Sequence, residues 1–212
     1  MEYLIKVGLR AKALIGYFHR TVYREKAGAQ MTEEDDEQEK AVAFLALLKK
    51  DEEALETEVK KLVKSNKDLA KSVFSVEIDG WTLFHACALR GCRKLLKYAI
   101  RSGVDVNLKM GEPEGVPGGC SALHMAAHRG DVSVIEILTS SRADLDLKDN
   151  TGKTPVFYAS RAHNSLAVKT LRKLGADMSS CDIGALKTED SGRSQLSNFR
   201  FLPFPGCSGS RR

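Results

Sequence analysis

Gly119-Cys-Ser-Ala-Leu-His-Met-Ala-Ala-His-Arg-Gly130 is the stretch whose reading decides the fold. Gly80-Trp-Thr-Leu-Phe-His-Ala-Cys-Ala-Leu-Arg-Gly91 precedes it by thirty-nine residues, and Gly152-Lys-Thr-Pro-Val-Phe-Tyr-Ala-Ser-Arg-Ala-His163 follows it by thirty-three. All three share one order: a Gly, a hydroxyl residue two on (Thr82, Ser121, Thr154), two mostly apolar residues, a His or aromatic, then small residues. Each closes on a similar tail, Gly103-Val-Asp-Val-Asn107, Ala143-Asp-Leu-Asp146 and Gly175-Ala-Asp-Met178. Self-similarity at a fixed period marks a chain built from stacked units, each burying itself against its neighbours.

With this period and these residues, the stretches resemble ankyrin repeats. The resemblance implies an all-α solenoid of about four helix–turn–helix units with hairpin fingers. It implies repeats over 77–110, 116–148 and 149–178, and a capping unit over 38–76. In the first repeat it places helices at Leu83–Leu89 and Lys94–Arg101, separated by Gly91, where a tight reversal favours a residue tolerant of φ > 0. Leu95, Leu96, Ala99 and Ile100, then Val134, Ile135, Ile137 and Leu138, supply the second helices' apolar stripes. His124, matched by His85, becomes the repeat's structural imidazole, bonded between neighbouring turns together with Thr82, Ser121 and Thr154. The third repeat departs from the others, with Ser160 for Ala and His163 for Gly, as suits a terminal unit.

Before the repeats, residues 32–40 are acidic and run into a helix, since acids favour a helix N-terminus. Residues 40–64 read as two helices turning at Lys49-Lys50-Asp51, and 65–78 as a connector with Leu69, Val73 and Phe74 packing beneath. Between Met110 and Gly118 the loop grows by six residues. Its Pro and Gly content excludes helix, and it stands where ankyrin proteins project a finger.

At the ends, Leu4, Val7, Ala11, Leu14, Ile15, Phe18 and Val22 fall on one helical face, opposite Lys6, Arg10, Arg20 and Arg24. Such a helix at 1–30 packs along the stack, lies on anionic lipid or in a partner through 3–24, or targets mitochondria. Residues 179–212 are rich in Ser, Gly and Arg and read as a disordered tail around Phe199-Arg-Phe-Leu-Pro-Phe-Pro205, which either docks or has no role.

Composition is that of a globular protein: 42% apolar, 29% charged, net charge +5 and mean hydropathy −0.27. No apolar run approaches a membrane span. Lys6, Arg10 and Lys12 interrupt any signal core. Five cysteines without a CxxC pair point to free thiols in a reducing compartment, hence a cytoplasmic or nuclear location, with mitochondria as the alternative.

Enzyme chemistry finds no foothold in the motifs. Gly152-Lys153-Thr154 ends like a phosphate-binding loop, but Leu147 stands where its first Gly belongs. His124 and His128 are spaced like zinc ligands, but Met125 replaces the catalytic Glu. The reading is non-enzymatic, with no cofactor, metal or small-molecule substrate. Nucleic acid ranks last, without a strongly basic patch or interleaved aromatics.

The resemblance implies a protein-binding adaptor, scaffold or regulatory subunit, expected to be a monomer. It places the free positions around each turn Gly and before each helix-ending Gly. Here these are Ile78, Asp79, Trp81, Leu89 and Arg90; Pro117, Gly118, Cys120, His128 and Arg129; and Asn150, Thr151, Lys153, Arg161 and Ala162. Glu112 and Glu114 of the finger join them. Trp81, the single Trp, is an anchor or packs on the neighbouring turn. Arg90, Arg129 and Arg161 would form a basic column for an acidic or mixed acidic/apolar segment.

Overall fold

The computed structural model describes residues 32–180. The amphipathic segment 1–30 and the 199–205 cluster lie outside them.

Thr32 starts the first helix among the described residues, α1 (Glu33–Lys50), with a capping box. Its hydroxyl accepts from the Asp35 N–H, and the Asp35 carboxylate accepts from the Thr32 N–H. The acidic run is therefore the first turns of the helix. Asp51 ends α1 and caps α2 (Glu52–Ser65), accepting from the Glu53 and Ala54 N–H groups. Lys49 and Lys50 belong to the last turn of α1 rather than to the reversal. The expected connector is largely a third helix, α3 (Lys67–Ser75), capped by Asn66 and burying Ala70, Val73 and Phe74. The unit ahead of the repeats is thus three helices, not two.

The repeats follow as β1 (Glu77–Ile78), β2 (Trp81–Thr82), α4 (Leu83–Arg90), α5 (Arg93–Arg101), α6 (Ala122–Arg129), α7 (Val132–Ser140), α8 (Pro155–Arg161) and α9 (Ser165–Leu174), with a 3-10 turn at Met178–Ser180. The two strands pair antiparallel, Glu77 opposite Thr82 and Ile78 opposite Trp81. First helices stack in the order α4, α6, α8, and second helices in the order α5, α7, α9. Small residues make the inner row possible: Ala86, Cys87 and Ala88, then Ala126 and Ala127, are fully buried between neighbours. Larger side chains, among them Phe74, Phe84, Leu96, Met125 and Ile135, fill the space between the rows, each contributing about 1.5–3 kcal/mol.

Gly91 and Gly130 close their helices at φ +81°, as the sequence requires. His163 takes the same left-handed conformation at φ +56°, and Arg142 stands at φ +67° where the other tails have Gly103 and Gly175.

Candidate functional site

The turn that opens each repeat is held by a buried imidazole. The Nε2 of His85 lies 3.0 Å from the Leu108 carbonyl, and its Nδ1 2.7 Å from the Thr82 hydroxyl. The Nε2 of His124 lies 3.1 Å from the Lys153 carbonyl, and its Nδ1 accepts from the Ser121 N–H at 3.0 Å. A carbonyl at Nε2 and a donor at Nδ1 define the neutral ring with its proton on Nε2. Burial pushes each ring down to about 4, although the carbonyl bonds oppose it. Phe157 occupies this register in the third repeat.

Behind the third turn lies a second buried cluster. Asp149 accepts from the N–H groups of Thr151 and Lys153, each at 2.8 Å, and from the Tyr158 hydroxyl. Burial raises its carboxyl, but the Tyr158, Lys153 and Thr151 hydrogen bonds outweigh this and leave it lowered overall. The Cys120 thiol lies 3.4 Å from the Tyr158 hydroxyl, and burial pushes it up to about 11. A fully buried, protonated thiol cannot serve as an exposed contact. Cys120 is therefore scaffold, which corrects the expectation for that position, and neighbouring Gly118 is buried as well.

The long finger is seated between two turns rather than free-standing. Its base is an antiparallel bridge of Lys109 with Ser121, and the Gly119 N–H donates to the Met110 carbonyl at 2.9 Å. Buried Pro113 lies against Gly80, where an added Cβ would come within 2.4 Å of the Pro113 nitrogen. On the other flank Asn150 donates its side-chain N–H to Glu112 at 2.9 Å, and its backbone N–H to the Gly118 carbonyl at 3.0 Å. Glu112 and Asn150, two expected contact residues, thus bind each other. Glu114 is exposed at the tip.

Of the remaining positions, Asp79, Thr151, Lys153 and Arg161 are exposed, and Ile78, Trp81, Leu89, Arg90, Pro117, His128 and Ala162 are half-buried. Lys153 stands over the Phe157 ring, 4.7 Å from its centre. Burial lowers the His128 ring. Lys49, at the end of α1, is lowered by burial and then by the nearby Arg90 charge.

The basic column is less regular than expected. Counted from the caps Thr82, Ser121 and Thr154, Arg90 and Arg129 share one register, whereas Arg161 matches Leu89 and His128. Arg129 is also engaged: its guanidinium donates to the Leu89 carbonyl of the preceding repeat at 2.9 Å and stands 3.9 Å from Asp131. One repeat on, Asn164 does the corresponding work, donating to the His128 carbonyl at 2.6 Å. Each satisfies a carbonyl that the preceding first helix leaves open at its end. Sequence reading missed Asn164; its only signal is its place in the register of Cys92 and Asp131.

These turns and helix ends define an α-solenoid of stacked helix pairs. Comparison with known proteins agrees: residues 79–108 match the family model described as ankyrin repeat, and residues 109–182 the one described as ankyrin repeats (3 copies). The chain is an ankyrin-repeat protein, and ankyrin repeats are modules for protein–protein interaction. Among curated proteins it is similar to ADP-ribosylation factor GTPase-activating protein AGD4 of Arabidopsis thaliana, 39% identical over 35% of this chain and 10% of the relative. Serine/threonine-protein kinase 12 of Arabidopsis thaliana is 34% identical over 47% of this chain and 20% of its own length. Protein phosphatase 1 regulatory subunit 12A of Mus musculus is 33% identical over 36% and 7%. The chain thus spans a fifth or less of each of these three relatives.

Proposed function

We propose that the chain is a non-enzymatic adaptor or regulatory subunit that holds an acidic or mixed acidic/apolar protein segment along its inner-helix face. The supporting observation is the framing of that face. Asp79, Trp81, Thr151 and Lys153 stand at the helix N-terminal ends, and Arg90, Arg129 and Arg161 at the C-terminal ends. Eight-residue helices put those borders about 12 Å apart, room for one helix or extended segment. Half-buried Trp81 offers an apolar anchor. Arg161 has no hydrogen bond or ion pair among the described residues, so its charge is available to a partner. The regulatory subunit among the relatives supports this reading by analogy.

The direct test is binding of captured partners to Arg161→Glu and Trp81→Ala variants at low and moderate salt. The reading expects weaker binding in both variants, and a salt dependence that Arg161→Glu reduces. Equal affinity in all cases contradicts it. Buried free thiols at Cys87, Cys92 and Cys120 support a cytoplasmic or nuclear setting. The alternative, motivated by the amphipathic pattern of residues 3–24, makes that segment a membrane or organelle-targeting element. A reporter fused to residues 1–30 that stays diffuse removes it.

A further inference from the structure

The second helices form an outer face whose charge is one-sided. Helix α5 exposes Arg93, Lys94, Lys97 and Arg101, α9 exposes Lys169, Arg172 and Lys173, and α7 between them contributes Glu136 alone. Arg93 pairs with Asp131 at 3.5 Å and Lys94 with Glu56 at 2.9 Å. The other five cations have no ion pair among the described residues.

The same face holds Leu166 and Leu174, 64% and 44% exposed, the exposed large hydrophobics among the described residues. They lie eight residues apart on one stripe of α9, interleaved with its cations. In register they match Ser133 and Ser141, which with Glu136 line an open furrow of about 610 Å³ between α5 and α7. Lys97 and Arg101 stand on the opposite wall of that furrow.

We infer that this outer face docks on an anionic membrane surface. Cations on α5 and α9 are separated by the whole width of α7, roughly 16–20 Å across two helix spacings. Such charges do not converge on one ligand group, but they match a continuous layer of anionic headgroups. Lys97 and Arg101 are themselves exposed on this face. Leu166 and Leu174 supply what a phosphodiester backbone does not use, apolar side chains placed to enter the boundary between headgroup and acyl chain. An acidic protein segment would satisfy the charges on one helix and leave those on the other unmatched.

Co-sedimentation of the full chain with vesicles of phosphatidylcholine and phosphatidylserine tests this, against pure phosphatidylcholine. Binding is expected only with the anionic lipid. Each basic residue near such a surface is worth about fivefold in affinity. Lys169→Glu/Lys173→Glu should therefore lose at least about twentyfold, and Leu166→Ser roughly fivefold. All these side chains are exposed, so the variants should remain folded, which circular dichroism melts check. The Trp81→Ala/Arg161→Glu variant keeps vesicle binding, which separates this face from the inner one.

Three results overturn the inference. The first is no binding to anionic vesicles. The second is binding unaffected by the α9 variants, including binding lost only in Arg10→Glu/Arg20→Glu, which assigns it to residues 1–30. The third is an α9-dependent affinity for polyglutamate that exceeds the affinity for vesicles.

Discussion

The side-chain amide of Asn150 donates to the Glu112 carboxylate at 2.9 Å across thirty-eight residues of sequence, tying the long finger to the turn of the next repeat. With Pro113 lodged against Gly80 on the other flank, the insertion spans three neighbouring turns and presents Glu114 on a braced loop. A braced loop loses less conformational freedom when a partner binds, so the seat of the finger bears on affinity.

Glu112→Ala and Asn150→Ala are therefore expected to couple. A double-mutant cycle should return about 0.5–1 kcal/mol, the scale of one exposed polar hydrogen bond. Hydrogen exchange should rise at Glu112–Gly118 in either variant while the first helices stay protected. Additive effects together with unchanged exchange in the finger would show that the contact does not brace it.

Stability should fall with acid over a defined window. His85 and His124 have folded values near 4 against an unfolded value near 6.5, so the unfolded chain binds protons first. Their contribution is complete above pH 6.5 and is lost progressively as pH falls toward 4. At roughly 3 kcal/mol for each ring, the window spans several kcal/mol. The geometry explains the cost, since a proton added at His124 Nδ1 would face the Ser121 N–H that now donates to it. Urea unfolding at pH 7, 5.5 and 4.5 checks this, and an unchanged midpoint across the series would contradict it.

The ends of the inner helices give a graded series. Asn164→Ala removes donors to the Ala127 and His128 carbonyls and should cost about 1–2 kcal/mol. Arg129→Ala removes one bond to the Leu89 carbonyl and should cost about 0.5–1.5 kcal/mol. Arg161→Ala should stay within about 0.5 kcal/mol. Thermal melts of the three variants would have to follow that order, and a destabilising Arg161→Ala would remove its assignment to the binding face.

Two of the three left-handed non-glycine residues among the described residues mark places where the chain departs from its own repeat. His163→Gly and Arg142→Gly relieve positive φ at positions that are Gly in other repeats, and each should gain up to about 1 kcal/mol. Loss of stability in both would mean that these side chains make contacts outweighing the backbone strain.

The repeat itself was legible because its signals are local: a Gly that turns, a hydroxyl that caps, a His three residues on, and small residues where helices meet. Helix α3 reads as a connector because its flanks are polar, although Asn66 and the spacing of Leu69, Ala70, Val73 and Phe74 carry a helical signal. The roles of Cys120 and Arg129 were not legible, since they are set by groups thirty-eight and forty residues away: the Tyr158 hydroxyl and the Leu89 carbonyl. The seating of the finger depends likewise on Gly80 and Asn150, to which no local pattern in residues 110–118 points.

The proposed protein partner would lie along the inner-helix face, against Trp81 and Arg161. Proximity labelling in cells, comparing the wild-type chain with a folded Trp81→Ala/Arg161→Glu variant at equal expression, tests it most directly. The expected result is a discrete set of labelled proteins whose signal drops about tenfold or more in the variant, because an aromatic anchor and a charge contact are lost together. An identical set at identical intensity in both chains would contradict it.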